Sequence, residues 1–428
     1  MGSAVLVAGL ILLILAGAPI ALAMIILPTI YILVTGDAPL LTVPHQMYEA
    51  IAKFPLVAIP FFMLTGELMN SSTVTERIMR LSAVIVGRMR GGLAQVNVVA
   101  SMFFAGMNGS AVADTATIGT ILIPQMKNRG YGADFAAAIT AVGSTIGGII
   151  PPSIAMIILA SGANLSVGAL FAGGVLPGLL IGLLLMGACA LIAHRRGYER
   201  GEQAFTLTGF LVALKDAIFA LLVPVVLVAG ILGGWFSSVE AGAITAGVAL
   251  VIGGVIYRSI TLAGLFSAFA RTLRLSASVF VIIAAAGPFT WLLSRIGTLH
   301  QLEAWLTSFA GSPLAFSVAL LALIVVAGMF MDATANIIIL GPMLVTTSHA
   351  AGFDTVQAAM VVVVGFLLGI VTPPVGVCYF TASAIAGAKL ERVAVQMLPF
   401  LAIEFFVLIL MLLVAPLTLT LPRALGFI

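Results

Sequence analysis

The sequence predicts an all-α polytopic membrane protein built as an inverted repeat, with two re-entrant helical hairpins and two helices broken at Pro-Pro pairs. Three observations carry this. Hydrophobic residues are 62% of the 428 and charged residues only 8%, with a mean hydropathy of +1.26, whereas a soluble domain carries about a quarter charged residues. The stretch 106–152 is written twice. At a constant offset of 222, Gly106, Met107, Gly130, Ala136, Ala137, Gly143, Gly147, Pro151 and Pro152 fall on Gly328, Met329, Gly352, Ala358, Ala359, Gly365, Gly369, Pro373 and Pro374. Ala160-Ser161 and Pro177 continue onto Ala382-Ser383 and Pro399. Matches among Gly and Ala are common in this composition, but two Pro-Pro pairs and a third Pro at one offset indicate an internal duplication. The third observation is a lopsided distribution of loop charge, which sets the two copies antiparallel.

Taken in order, the elements follow from the need for about 20 apolar residues per membrane helix. Full crossings are expected near 3–18, 20–36, 54–70, 133–163, 168–193, 217–236, 238–257, 276–296, 354–387 and 394–418. Residues 3–16 resemble a signal-peptide core, but they lack a basic leader and run into further apolar sequence, so they are read as the first span. The stretch 73–90 sets Ile78, Leu81, Val84 and Ile85 against Glu76, Arg77, Arg80 and Arg88, an amphipathic pattern read as an arm that fixes the scaffold in the bilayer. The apolar stretches 91–124 and 313–346 are each interrupted midway by Gly and polar residues. Each is too long for one pass and reads as a re-entrant hairpin, which is tolerable only where the broken backbone is buried in protein or lines a cavity.

Charge orients this plan. The net charge of +3 and pI of 9.0 are explained by topology signals in short loops and leave no nucleic-acid footprint. Arg77, Arg80, Arg88, Arg90, Lys127, Arg129, His194, Arg195, Arg196, Arg200, Lys215, Arg258, Arg271, Arg274, Lys389 and Arg392 fall on one side. The opposite loops 37–53, 164–167, 237–240, 297–312 and 347–353 hold Lys53 and no other Lys or Arg. The first side is therefore cytoplasmic. Five crossings separate the hairpins, so they enter from opposite faces. Inverted repeats with broken helices near the midplane mark a secondary transporter, with its sites at the breaks. The division expected is 1–90 scaffold helices and arm, 91–194 first transport half, 195–312 scaffold helices, 313–392 second transport half, and 393–428 C-terminal helix and tail.

The chemistry of the breaks comes from missing donors. Pro151 and Pro152 remove two backbone N–H groups and disfavour helix in the residue before them, freeing carbonyls around Gly147 to Ile150, with Ile149 among them and Thr145 just before; Gly369 to Thr372 repeat this before Pro373-Pro374. At the tips, Asn108, Gly109, Ser110, Asp114 and Thr115 in one copy, and Asp332, Thr334 and Asn336 in the other, add oxygens at matching depth. These residues are the expected sodium and substrate site, with sodium at Ser110, Gly147, Asp332 and Thr372 and no other cofactor. Helix N-termini after each tip and break suit a carboxylate. Two registers fit. The constant offset pairs Ser110 with Asp332 and Asp114 with Asn336, whereas a slide of one turn pairs Asp114 with Asp332 and Pro124 with Pro342. Gly143 and Gly365 are read as close-packing positions. Glu67 and Glu404 are read as lying at helix ends or a subunit face. His45, His194, His300 and His349 lack metal-ligand spacing. Cys189 and Cys378 are read as buried thiols without a disulfide framework.

The run Gly92-Leu93-Ala94-Gln95-Val96-Asn97-Val98, then Ala100-Ser101-Met102-Phe103-Phe104-Ala105-Gly106, Gly109-Ser110-Ala111-Val112-Ala113-Asp114 and Ile123-Pro124-Gln125-Met126 resembles the large membrane (permease) subunit of tripartite ATP-independent periplasmic (TRAP) transporters, as does Thr372-Pro373-Pro374-Val375-Gly376. The similarity spans nearly the whole chain. Asn108 departs from it, standing where the family pattern leads to Ser. The resemblance implies a sodium-driven elevator importer of organic acids, of the sialic acid or C4-dicarboxylate type, in the bacterial inner membrane. It implies two partners, a small membrane subunit and a periplasmic substrate-binding protein. The competing readings are a self-sufficient sodium/divalent-anion symporter, an intramembrane enzyme using Asp114 and Asp332, and a passive channel; no catalytic residues are expected.

Overall fold

A computed structural model describes residues 6, 8–10, 12, 13, 16–198, 206–373 and 376–428. The predicted span 3–18 falls partly outside these residues. Pro374, Val375 and the Asn108 side chain also lie outside the described groups. Among the described residues the secondary structure is helical throughout, without strands.

The chain opens with α1 (Ile20–Thr35), α2 (Thr42–Ile51), a short 3-10 turn (Phe54–Val57) and α3 (Ala58–Asn70). Lys53 and Pro55 separate α2 from α3, and the path bends by 66° there. The amphipathic arm is α4 (Val74–Val86). Its Leu81 packs with Ala213 and Ala217, and Arg77 lies over the Tyr257 ring and donates to the Asp216 carbonyl at 3.2 Å.

The first hairpin is α5 (Gly92–Asn108) and α6 (Ala111–Asn128), joined by Gly109-Ser110. Next come α7 (Ala133–Gly143), the single turn α8 (Ile146–Ile149) and α9 (Ile154–Ala163), a helix broken and bent by 43° at Pro151-Pro152. The long α10 (Val167–Arg196) returns to the basic side, where His194, Arg195 and Arg196 occupy its last turn, a favourable place for cations at a helix C-terminus.

The middle of the chain forms α11 (Leu207–Leu232), α12 (Ser238–Val251) continued by a π turn at Ile252–Ile256, α13 (Leu262–Arg295) and α14 (Thr298–Thr307). Two of these start earlier than the apolar count predicts. Thr206 and Thr261 cap α11 and α13 with their side chains, so the helices begin in polar sequence and include the charged residues Lys215, Asp216, Arg271 and Arg274. The α13 residue Arg271 is held there by Glu67, with Nε to Oε2 at 2.6 Å, and by Ser71 at 2.9 Å. At about 1.5 Å per residue a helix of this length exceeds a hydrocarbon core of roughly 30 Å.

The second hairpin is α15 (Pro313–Phe330), a tip at Met331-Asp332, and a second limb split at Leu340 into α16 (Ala333–Ile339) and α17 (Gly341–Ala350). The broken partner is α18 (Thr355–Gly369) and α19 (Val377–Ala386). The chain ends with α20 (Leu390–Leu413) and α21 (Pro416–Ala424). The predicted single span 394–418 is thus two helices, because Pro416 has no N–H with which to continue α20. The last turns fold back onto α10, placing the Phe427 ring against Gly168.

Among the described residues, six helices are long and apolar enough to cross a membrane, and up to eight spans result if each bent pair is one. Two packing groups emerge. Helices α1 to α4 pack with α11 to α13. The hairpins and broken helices pack with α10, α20 and α21. Within the second group the halves are intertwined: α19 lies on α6 and α7 of the first half, while α9 lies on α16 and α17 of the second.

Candidate ion and substrate site

At the first hairpin the tip is sewn to the break. Gly109 has φ of 63°, a backbone region open to glycine, and a Cβ there would lie 2.7 Å from the Pro152 carbonyl oxygen. Its own carbonyl accepts from the Ile154 amide at 3.3 Å. Ser110 is the N-cap of α6, accepting from the Ala113 amide at 3.4 Å. One turn on, the buried Asp114 carboxylate lies directly against Gly147, leaving no room for a Cβ. Thr115 and Ser144 join hydroxyl to hydroxyl at 2.6 Å.

The first break satisfies part of its own backbone. Ser153 caps α9, accepting from the Met156 amide at 3.3 Å, and its hydroxyl donates to the Gly148 carbonyl. The carbonyls of Gly147 and Ile149 accept no hydrogen bond among the described residues. Thr145, just before them, bonds to the Glu404 carboxylate.

The second half repeats the plan with different side chains. Asp332 caps α16 through Oδ2, which accepts from the Thr334 amide at 2.9 Å. A carboxylate has about four lone-pair sites, so capping leaves acceptor capacity for a cation. The Asn336 amide donates to the carbonyls of Ala327 and Met331, each at 3.1 Å, closing the tip onto the end of α15. Gly369 meets the Gly328 backbone, where a Cβ would lie 2.6 Å from the Gly328 oxygen. Thr372 donates to the Leu368 carbonyl at 2.7 Å, and Pro373 comes next, half-buried. The Ile370 carbonyl is taken by the Cys378 amide at 3.1 Å; its repeat partner Gly148 is taken by Ser153.

The caps settle the register. Ser110 and Asp332 both start the post-tip helix, so the constant offset holds, and the buried Asp114 and Asn336 are the matching pair. The halves then meet. The Cys378 thiol, at the start of α19, interacts with the hydroxyls of Thr115 and Ser144 and lies in electrostatic range of both Asp114 and Asp332. Intertwined packing therefore sets the start of α19, from the second half, beside Thr115 and Ser144 of the first.

Several polar groups here were not singled out in the sequence. Asn97 donates to the Thr140 hydroxyl at 2.7 Å, and Ser101 and Ser144 lie four residues further along their helices. Polar residues at this spacing on otherwise apolar helices were the available signal. Glu404 corrects a reading: it is 0% exposed in the middle of α20 and not at a helix end or a subunit face. Aspartate and other charged side chains at mid-bilayer cost about 2.5–3.5 kcal/mol each on insertion scales, so such groups are retained for a reason. Glu404 Oε2, Asn97 Oδ1 and Asn336 Oδ1 are buried acceptors without a hydrogen-bond donor among the described residues. Gly365 presses on Ile324, a packing role. Among the described residues no group of three His, Cys, Asp or Glu could hold a metal ion.

Comparison with known proteins adds the family. Residues 7–417 match the family model described as tripartite ATP-independent periplasmic transporter, DctM component. The sialic acid TRAP transporter large permease protein SiaM of Vibrio cholerae is 33% identical over 408 residues, covering 95% of each chain. The C4-dicarboxylate TRAP transporter large permease protein DctM of Pseudomonas aeruginosa is 33% identical over 381 residues, covering 89% of each. Among solved structures, the YdaH transporter of Alcanivorax borkumensis superposes with a TM-score of 0.61 at 14% identity over 87% of each chain, a likeness of fold alone.

Proposed function

The chain belongs to the DctM component of the tripartite ATP-independent periplasmic transporters, multi-pass transporter subunits of the bacterial inner membrane and not enzymes, and on that basis we propose that it imports organic acids coupled to sodium. The import would require a small membrane subunit and a periplasmic binding protein that delivers the acid. Relatives named for sialic acid and for C4-dicarboxylates bracket the substrate class.

The observation that supports sodium most is the chemistry of the convergent site. The hydroxyls of Thr115 and Ser144 meet the Cys378 thiol, the carboxylates of Asp114 and Asp332 supply negative charge around it, and the Gly147 carbonyl beside Asp114 accepts no hydrogen bond among the described residues. Unwound backbone carbonyls beside helix ends are the ligands sodium takes in transporters of this architecture. In this reading Ser110, Gly147, Asp332 and Thr372 hold sodium, and sodium orders the tips before they close over the acid. The segments 91–194 and 313–392 would then move together against the remaining helices as an elevator.

Uptake into proteoliposomes holding the chain with its small subunit tests this. Import of sialic acid or a C4-dicarboxylate should require both an inward sodium gradient and the binding protein. Uptake without the binding protein would point to a self-sufficient symporter, and uptake indifferent to sodium would overturn the ion assignment.

A further inference from the structure

A cleft of about 480 Å³ lies between α2 and α13, which the importer reading makes stationary, and the intertwined core. Its polar lining is Gln46, Glu49 and Lys53 from the α2 side, Thr290, Trp291 and Ser294 from α13, and Ser161 from α9, which closes the other wall with α16 and α17. Lys53 is the one basic side chain in that lining. Its ammonium donates to the Ser161 carbonyl in α9 at 3.1 Å, which uses one of three donors. The Thr290 hydroxyl oxygen is buried and has no hydrogen-bond partner among the described residues.

The inverted repeat supplies a control for this lysine. Lys127 donates at 2.8 Å to the Ala386 carbonyl at the end of α19, the repeat counterpart of α9. Both post-break helices therefore end under a lysine, which suits the negative pole of a helix. The two differ in where the lysine resides. Lys127 belongs to α6, which packs along α19, whereas Lys53 reaches across the cleft from the stationary side.

We propose that the cleft at Lys53 is an entry site for an organic monocarboxylate with a neutral, hydroxylated body, and that its carboxylate takes Lys53 from the Ser161 carbonyl. This rests on the importer reading and names a first station for its substrate. A carboxylate brings a full negative charge that the Ser161 carbonyl lacks, and the Coulomb attraction between unit charges a few ångströms apart favours the ion pair, so the arriving acid wins the ammonium. Its departure from Ser161 unfastens α9 from the stationary side, linking substrate arrival to release of the core. Neutral polar groups of Gln46, Thr290, Trp291 and Ser294 suit hydroxyls. A second carboxylate would meet Glu49.

The test titrates the purified full chain with gluconate, succinate and chloride while monitoring tryptophan emission. Gluconate should change emission, with the change lost in Trp291→Phe. In Lys53→Gln half-saturation should need about tenfold more gluconate, while Lys53→Arg retains binding. Succinate should bind more weakly, and Glu49→Gln should narrow the gap, an arm that decides the matter even if Lys53→Gln fails to elute as a folded species. Equal titration of Lys53→Gln and the parent, an equal response to chloride, or no response to gluconate would overturn the site. Uptake separates this from the importer reading: transport unaffected by Lys53→Gln removes the entry site alone, whereas Lys53-dependent gluconate binding without transport removes the importer reading alone.

Discussion

At Asp114 the site depends on what is missing from its neighbour. The carboxylate occupies the volume that a side chain at 147 would need, so Gly147 is retained for space and not for flexibility. Gly147→Ala should push Asp114 out of place at a cost of about 1–3 kcal/mol, the usual range for overpacking a filled core. The expected result is a raised half-saturating sodium concentration in the uptake assay, with protein still present in the membrane. Gly187→Ala is the control, since nothing lies within 4 Å of a Cβ there. Unchanged sodium dependence in Gly147→Ala would remove Asp114 from the ion site. At this scale the sequence was informative about residue type and silent about environment. Asp114 and Asp332 stand out as carboxyls in apolar runs, but so does Glu404, and only the fold places Glu404 against Thr145.

The broken helices were the most legible elements. Two missing N–H groups in succession end a helix wherever they occur, so the break at Pro151-Pro152 and the repeat at one offset can be read from residue type. How the break is held was not legible. Ser153 does two jobs there, capping α9 and covering the Gly148 carbonyl. Ser153→Ala should remove both and cost about 0.5–2 kcal/mol, the range for loss of an N-cap, read as a lower Tm and faster amide exchange in 154–163. A Tm equal to the parent's would show that the break is held by packing alone. The register between hairpins needed the same geometry, because two slides satisfy the sequence and only the caps at Ser110 and Asp332 choose. Helix limits were read less well at α11 and α13, where capping threonines start helices in polar sequence that a count of apolar residues leaves as loop.

For the whole molecule, the repeat announces two similar halves but not that each half's post-break helix packs on the other's hairpin. That exchange is a tertiary choice between helix faces of nearly uniform apolarity, which periodicity does not distinguish. Its consequence is a core in which Cys378 of the second half meets the hydroxyls of Thr115 and Ser144 of the first, within the electrostatic reach of Asp114 and Asp332. If the tips bind sodium as proposed, joining the two halves in one unit would tie binding at one tip to closure at the other, because an equilibrium shifts only by the difference in affinity between its states. Sodium alone should therefore close the convergent site.

Cys378 reports on that closure directly, being fully buried at the meeting point. In membranes carrying the full chain with Cys189→Ala, the rate at which a small thiol reagent modifies Cys378 should fall several-fold when sodium replaces potassium at equal ionic strength. Asp332→Ala should abolish that protection. Equal rates in sodium and potassium would contradict closure by sodium, whatever the chain transports.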